Sequence, residues 1–167
     1  ASKSNAVLLP SWYGGDHHGY DLLIGPGKAL DPSRYFIIAT DQFSNGVSSS
    51  PSNTAPPFAG PDFPQTAIRD NVAATHRLVT ELFGIERLAA IVGFSMGAQQ
   101  ALQWAVSHPD MMGAVVAYCG NVREYPFGIA RLEGAKAAIT ADAGWNNGYY
   151  EMPPEVGFKA LARHWAA

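Results

Sequence analysis

Residues 88–105, Leu-Ala-Ala-Ile-Val-Gly-Phe-Ser-Met-Gly-Ala-Gln-Gln-Ala-Leu-Gln-Trp-Ala, decide how this chain folds. They open as a short apolar run, pass through Gly93-Phe94-Ser95-Met96-Gly97, and continue with Ala98, Ala101, Leu102 and Ala105 on one helical face. The pattern predicts a strand over 88–92, a tight turn at Ser95 and a helix from Met96 to His108, stopped by Pro109. A G-x-S-x-G turn between strand and helix strains the backbone at the serine, and its glycines let neighbouring chain pass close. The hydroxyl is lifted clear of the sheet, and the helix start aims free N–H groups at charge developing on an attacked carbonyl. Ser95 is therefore the candidate nucleophile, with the Met96 backbone N–H as one oxyanion donor. As a bare string the pattern arises by chance; the strand before it and the helix after it carry the reading.

Outward from this stretch, residues 6–10 (Ala-Val-Leu-Leu-Pro), 35–40 (Tyr-Phe-Ile-Ile-Ala-Thr) and 114–118 (Ala-Val-Val-Ala-Tyr) are further apolar runs. Each reads as a strand buried on both faces. Between the second and third strands, Ile68, Val72, Thr75, Val79 and Leu82 recur at helical spacing, with Thr66 placed to cap the start and Gly84 to end it. Strands alternating with helices imply an α/β fold, a parallel sheet with helices on both faces. Residues 43–64 are rich in Gly, Pro and Ser without apolar periodicity, a loop long enough to suggest function. After Gly120 the pattern changes to helical stretches over 129–140 and 156–165 around a Gly/Asn/Tyr/Pro-rich turn.

The bulk numbers narrow the function classes. The chain has 167 residues, 47% hydrophobic and 15% charged, which suits one ordinary globular domain. Its net charge of −3 and lack of a basic stretch give no footing for nucleic acid or an anionic membrane surface. No apolar run is long enough to span a bilayer. Cys119, the single cysteine, fits a reducing compartment, so the expected location is the cytoplasm.

A serine hydroxyl needs an adjacent base, oriented by a third group. Downstream of Ser95 stand only His108 and His164. A helix rising about 1.5 Å per residue sets His108 roughly 18 Å from the serine, out of reach. His164 sits in a helical stretch with no strand-end loop to present it. Asp110 reads as a helix-end turn residue, and Asp142 is the other downstream acid. Neither base nor acid is found in the chain. Upstream, Ser11-Trp12-Tyr13-Gly14-Gly15 follows the first strand and fits the place of the second oxyanion donor. Tyr13 is the choice for that backbone donor and Trp12 the alternative; a plain Gly-Gly turn bearing two aromatics is the competing reading. His17 and His18 read as a solvent-facing pair, and with Asp16 they lack the geometry and third ligand of a metal site. No metal and no cofactor are expected.

Taken together these residues resemble a known family. The match runs through Asn5-Ala-Val-Leu-Leu, Gly14-Gly15-Asp16 and Gly25-Pro-Gly-Lys-Ala-Leu-Asp-Pro-Ser-Arg-Tyr-Phe-Ile-Ile. It continues through Phe63-Pro64, Ile68-Arg69-Asp70-Asn71-Val72 and Leu82-Phe83-Gly84-Ile85 to Gly93-Phe-Ser-Met-Gly-Ala-Gln-Gln-Ala-Leu-Gln-Trp-Ala. Over about residues 5–121 the chain is similar to the homoserine O-acetyltransferase family of the α/β-hydrolase superfamily and its esterase relatives. The resemblance implies an α/β-hydrolase-type sheet and ping-pong chemistry, in which the serine takes an acyl group and passes it to an alcohol or to water. Carried over by position, Ser95 is the nucleophile and Met96 an oxyanion donor, and Tyr13 falls at the other donor's place. Arg69, Asp70 and Trp104 match as well and read as packing and helix-surface residues.

Two departures favour the esterase-like branch. The transferases carry His-Ala-Leu-Thr-Gly where Ser11-Trp12-Tyr13-Gly14-Gly15 stands, and a second small residue where Ala98-Gln99-Gln100 stands. Bulky Trp12 and Tyr13 are expected to reshape the pocket floor beside the oxyanion. The family's acid and histidine lie beyond Ala167, and its members have strands before residue 6, so the chain reads as cut at both ends. On this reading residues 1–121 are a partial hydrolase core and 122–167 the beginning of a helical lid. The expected activity is hydrolysis of small acyl, chiefly acetyl, esters through an acyl-enzyme. Transfer of acetyl from acetyl-CoA to a hydroxyl acceptor such as homoserine is the alternative, and a non-catalytic binding module the second alternative. The expected partners are a small acyl ester or acyl-CoA, with a homodimer considered for the complete protein.

Overall fold

The structure, a computed structural model, describes residues 3–166. Four parallel strands form one sheet in the order β2-β1-β3-β4, with β1 at Ala6–Pro10, β2 at Phe36–Thr40, β3 at Ala90–Phe94 and β4 at Val115–Tyr118. The unbroken apolar run of β1 places it centrally: Ala6, Leu8 and Leu9 are fully buried and Val7 nearly so. Val7, Leu8 and Leu9 each contribute about 1.5–3 kcal/mol relative to exposure, which makes β1 the spine of the sheet.

Alternate residues divide the sheet into two faces. Ala6, Leu8, Ile38 and Ile91 pack against helix α1 (Ile68–Arg77) and helix α2 (Met96–Ser107), through Val72, Ala101 and Trp104. Val7, Leu9, Ile37 and Val92 pack on the other face against Tyr20, at the end of the short 3₁₀ turn His17–Tyr20, and against Leu30 in the loop that follows. The expected parallel α/β sheet flanked by helical elements is observed. Two details differ. β3 starts two residues later than the apolar run suggests, because Leu88 is spent on a bridge to Met112 before the strand begins. β4 is mostly exposed and β2 only half-buried apart from Ile38, both being edge strands among the described residues rather than strands buried on both faces.

The cap of α1 is also not the expected one. The chain enters the helix at Ala67, not Thr66, and the Asp70 carboxylate reaches back to accept from the Ala67 N–H at 2.7 Å. Beyond Arg77 the helix widens into one π turn, where the Phe83 N–H donates to Leu78 O. Gly84, at φ +64°, then ends it as the sequence suggests.

The chain divides into two compact units: Ala1–Asn53 with Pro64–Val122, and Thr54–Phe63 with Arg123–Ala167. The first holds the sheet, α1 and α2. In the second, helix α3 (Pro126–Thr140) packs against helix α4 (Glu155–Ala166), and Pro126 occupies the first turn that proline tolerates. The Asp142 carboxylate accepts from the Gly157 and Gly144 amides, both at 2.8 Å, and so joins the end of α3 to the start of α4. These two amides hold its carboxyl below the usual range.

Candidate active site

Ser95 sits between β3 and α2 with φ +53° and ψ −119°. A residue with a Cβ adopts that backbone only at a cost of about 1–3 kcal/mol, met here by the surrounding structure. The Ser95 N–H donates to Tyr118 O on β4 at 3.0 Å, and its carbonyl accepts from the Ala98 and Gln99 amides. The Met96 and Gly97 amides, in the first helical turn, have no helical acceptor and remain as donors at the helix start. Glycine at 93 and 97 is required by packing. A methyl on Gly93 would strike the Gly97 carbonyl, and one on Gly97 would strike the Pro10 carbonyl. The serine turn is thereby seated directly on the C-terminal end of β1.

The loop leaving β1 is held from below. Ser11 is fully buried. Its N–H donates to Thr40 O at 2.8 Å, its hydroxyl accepts from the Gln42 N–H at 2.9 Å, and its carbonyl accepts from Gln100 Nε2 at 2.9 Å. Trp12 to Gly15 then form a tight turn closed by the Gly15 N–H on Trp12 O, with Gly14 at φ +74°. The side chains of this loop part company. Trp12 lies edge-on to Tyr20 and Phe94, each ring centroid 5.1 Å away, whereas Tyr13 is 57% exposed. Trp12 alone of the two lines the adjoining apolar cavity of about 550 Å³, together with Leu23, Leu30, Val92, Phe94 and Tyr118.

The histidines have other partners. His17 is not a free surface residue: its Nδ1 lies 2.7 Å from Asp41 Oδ2 and its amide donates to Asp41 Oδ1 at 2.9 Å. His18 pairs with Asp21 and remains exposed, while Asp16 caps the 3₁₀ turn through the His18 amide. The His17 and His18 rings lie against each other, centroids 4.1 Å apart, while their Nδ1 atoms go to separate carboxylates, Asp41 and Asp21. His76 and His108 stack at 4.0 Å at the far end of α2, and His164 is bonded to Arg131 O at 2.8 Å. Among the described residues no hydrogen bond joins a histidine to the Ser95 hydroxyl. Asp142 is committed to helix-end amides.

Tyr20, Asp41 and Gln42, which shape the site, escaped the sequence reading, and Ser11 and Gln100 were marked only as members of motifs, without their hydrogen-bonding parts. A signal existed for some of them. Gln100 interrupts the small and apolar face of α2, and Asp41-Gln42 directly follow the C-terminal end of a strand, where sites on parallel sheets assemble.

The comparisons agree with this geometry. Residues 7–157 match the family model described as alpha/beta hydrolase fold, and the chain belongs to that family. It is 46% identical over 165 residues to the ethyl acetate hydrolase of Pseudomonas veronii, covering 98% of this chain and 47% of the relative. The solved acetyl esterase MekB is 44% identical, with a TM-score of 0.94 over 99% of this chain and 49% of that one. A homoserine O-acetyltransferase of Desulfotalea psychrophila is 35% identical, covering 98% of this chain and 47% of the relative. The chain thus spans about half the length of the curated relatives it matches, and similarity is higher on the esterase side. Among the described residues, no helix is long and apolar enough to cross a membrane.

Proposed function

We propose that Ser95 is the nucleophile of an enzyme that hydrolyses small acyl, chiefly acetyl, esters through an acyl-enzyme. The observation that carries this is the strained Ser95 backbone at φ +53°, wedged between β3 and the start of α2. A fold with no use for the hydroxyl has no reason to hold a serine there. The hydroxyl oxygen attacks the ester carbonyl, and the Met96 N–H with that of Tyr13 (Trp12 one residue earlier as alternative) stabilises the oxyanion. The alcohol leaves with the proton, and water then releases the acid from the serine. No residue of this chain is assigned as base or acid. The similarity to an ethyl acetate hydrolase and an acetyl esterase supports acetyl as the acyl group and water as acceptor.

A second reading is transfer of acetyl from acetyl-CoA to a hydroxyl acceptor, favoured by the similarity to a homoserine O-acetyltransferase. In the same spirit we read residues 122–167 as the beginning of a lid, a homodimer as the assembly and the cytoplasm as the location. One assay separates the two chemistries. The whole protein is given an acetyl ester or acetyl-CoA, with and without homoserine. Acetate release should exceed acetylhomoserine formation, and Ser95→Ala should remove turnover by several orders of magnitude, toward the roughly 10⁶-fold loss known for a serine nucleophile. Turnover that depends on homoserine would favour the second reading, and retained activity in Ser95→Ala would end both.

A further inference from the structure

The β1–β3 ladder stops short of the site. Its paired residues are Val7 with Ala90 and Leu8 with Ile91, and no pair follows. Alternate amides of a strand point to opposite sides, and those of Ile91 and Ser95 go to the β4 side, at Ala114 O just before that strand and at Tyr118 O. The Phe94 N–H therefore faces β1, where Pro10 O would be its ladder partner. It does not reach. The Tyr20 hydroxyl stands between them, donating to Pro10 O at 2.7 Å and accepting from the Phe94 N–H at 3.1 Å.

We infer that Tyr20 is a positioning residue for the oxyanion hole, its hydroxyl setting the spacing between the donor loop 11–13 and the serine turn. This rests on the reading of Ser95 as nucleophile. Pro10 immediately precedes the loop and Phe94 immediately precedes Ser95, so one side chain fixes both approaches to the site. Direct ladder bonding would draw the two strand ends together, and Gly97, already packed on the Pro10 carbonyl and 3.0 Å by its would-be Cβ from the Tyr20 hydroxyl, leaves no space for that. The ring is held where it must be: it is 1% exposed and meets the Trp12 indole edge-on. Burial pushes its hydroxyl up to about 12, so it remains a neutral donor throughout the working range. Gln100 anchors the next carbonyl, Ser11 O, from α2. With the carbonyls of residues 10 and 11 both turned to inner partners, the following turn is fixed in orientation.

The test is Tyr20→Phe in the whole protein, beside Ser95→Ala. The ring and its packing remain; only the bridge is lost. A displaced oxyanion donor should lower kcat for an acetyl ester about tenfold to hundredfold, with KM within about twofold. Affinity for a boronic acid that forms a tetrahedral serine adduct should fall by a comparable factor, while circular dichroism and stoichiometric phosphonate labelling are retained. A merely structural role would lower the melting temperature and leave kcat per labelled site unchanged, and that outcome overturns the inference. If Ser95→Ala is inactive but folded Tyr20→Phe turns over normally, Tyr20 is wrong and the nucleophile stands; an active Ser95→Ala removes both. Should Tyr20→Phe not fold, 3-fluorotyrosine placed at position 20 keeps the shape. Its fluorine resonance should move when the boronate adduct forms, and an unmoved resonance overturns the inference.

Discussion

The two units of this chain are built on different physics. In the first, β1 and α2 bury Leu8, Leu9, Ala101 and Trp104 completely, and even polar Ser11 and Gln100 are sealed, with every buried side-chain polar atom of the described residues partnered. In the second, only the small side chains Ala135 and Pro154 are buried among the described residues, and Phe127, Ile129 and Leu132 of α3 are half or more exposed or close to it. There the helices are held by local devices instead: the Asp142 carboxylate on two amides, the His164 ring on a carbonyl, and Gly157 close against Ile139. The site as proposed, a strained serine with two backbone donors held in register, needs the first kind of surroundings, since packed interiors transmit rather than absorb displacement.

The sharpest break of this contrast is a matched pair of truncations. Trp104→Ala empties a fully buried indole and loses its bond to Thr75, so it should destabilise by about 3–5 kcal/mol. Phe127→Ala, at a site 79% exposed, should stay within about 0.5 kcal/mol. Equal losses in urea titrations would show that the second unit has a core of the same kind. A smaller effect tests the polar seal. Gln100→Ala strands Ser11 O and the Gln42 side chain, and should lower stability by about 1–3 kcal/mol while reducing turnover by more than a remote core variant of equal stability does. If turnover merely tracks the folded fraction, the seal has no part in positioning the loop.

The smallest expected effect comes from the stacked pair His76 and His108. Burial, with the neighbouring His76 charge, holds the His108 ring below its ordinary value of 6.5. The unfolded chain then binds the proton more readily than the native one, so stability rises with pH in this window. The contribution is present above about 6.5 and is lost as pH falls through that value toward the native one. Urea midpoints at mildly acidic and mildly alkaline pH should show it, and His108→Gln should flatten that part of the profile. A profile unchanged by the substitution would assign the pH dependence to other groups.

The strand-turn-helix at Ser95, the parallel sense of the four strands and the family resemblance were legible in the chain alone; the strand order was not. Each rests on periodicity and on residues adjacent in sequence: an apolar run, two glycines about a serine, a helical stripe stopped by Pro109. Strand ends were less legible, because whether Leu88 pairs as part of β3 or as a bridge to Met112 depends on a partner far along the chain. The same holds for the cap of α1, where the Asp70 carboxylate competes with Thr66 and prevails by reaching the Ala67 amide.

What the amino-acid order determined by itself was which residue carries the hydroxyl and on what kind of turn it sits. What only the tertiary structure decided was how that turn is held. Tyr20 meets Phe94 across 74 positions of sequence, Gln100 meets Ser11 across 89, and His17 meets Asp41 across 24. No local pattern announces such pairs: Tyr20 reads as one aromatic in a loop, Gln100 as a polar break in a helix face, His17 as a surface histidine. They acquire their roles when the sheet brings the ends of β1, β2 and β3 side by side, because a buried carbonyl or amide there must be satisfied by whatever side chain the fold delivers to it.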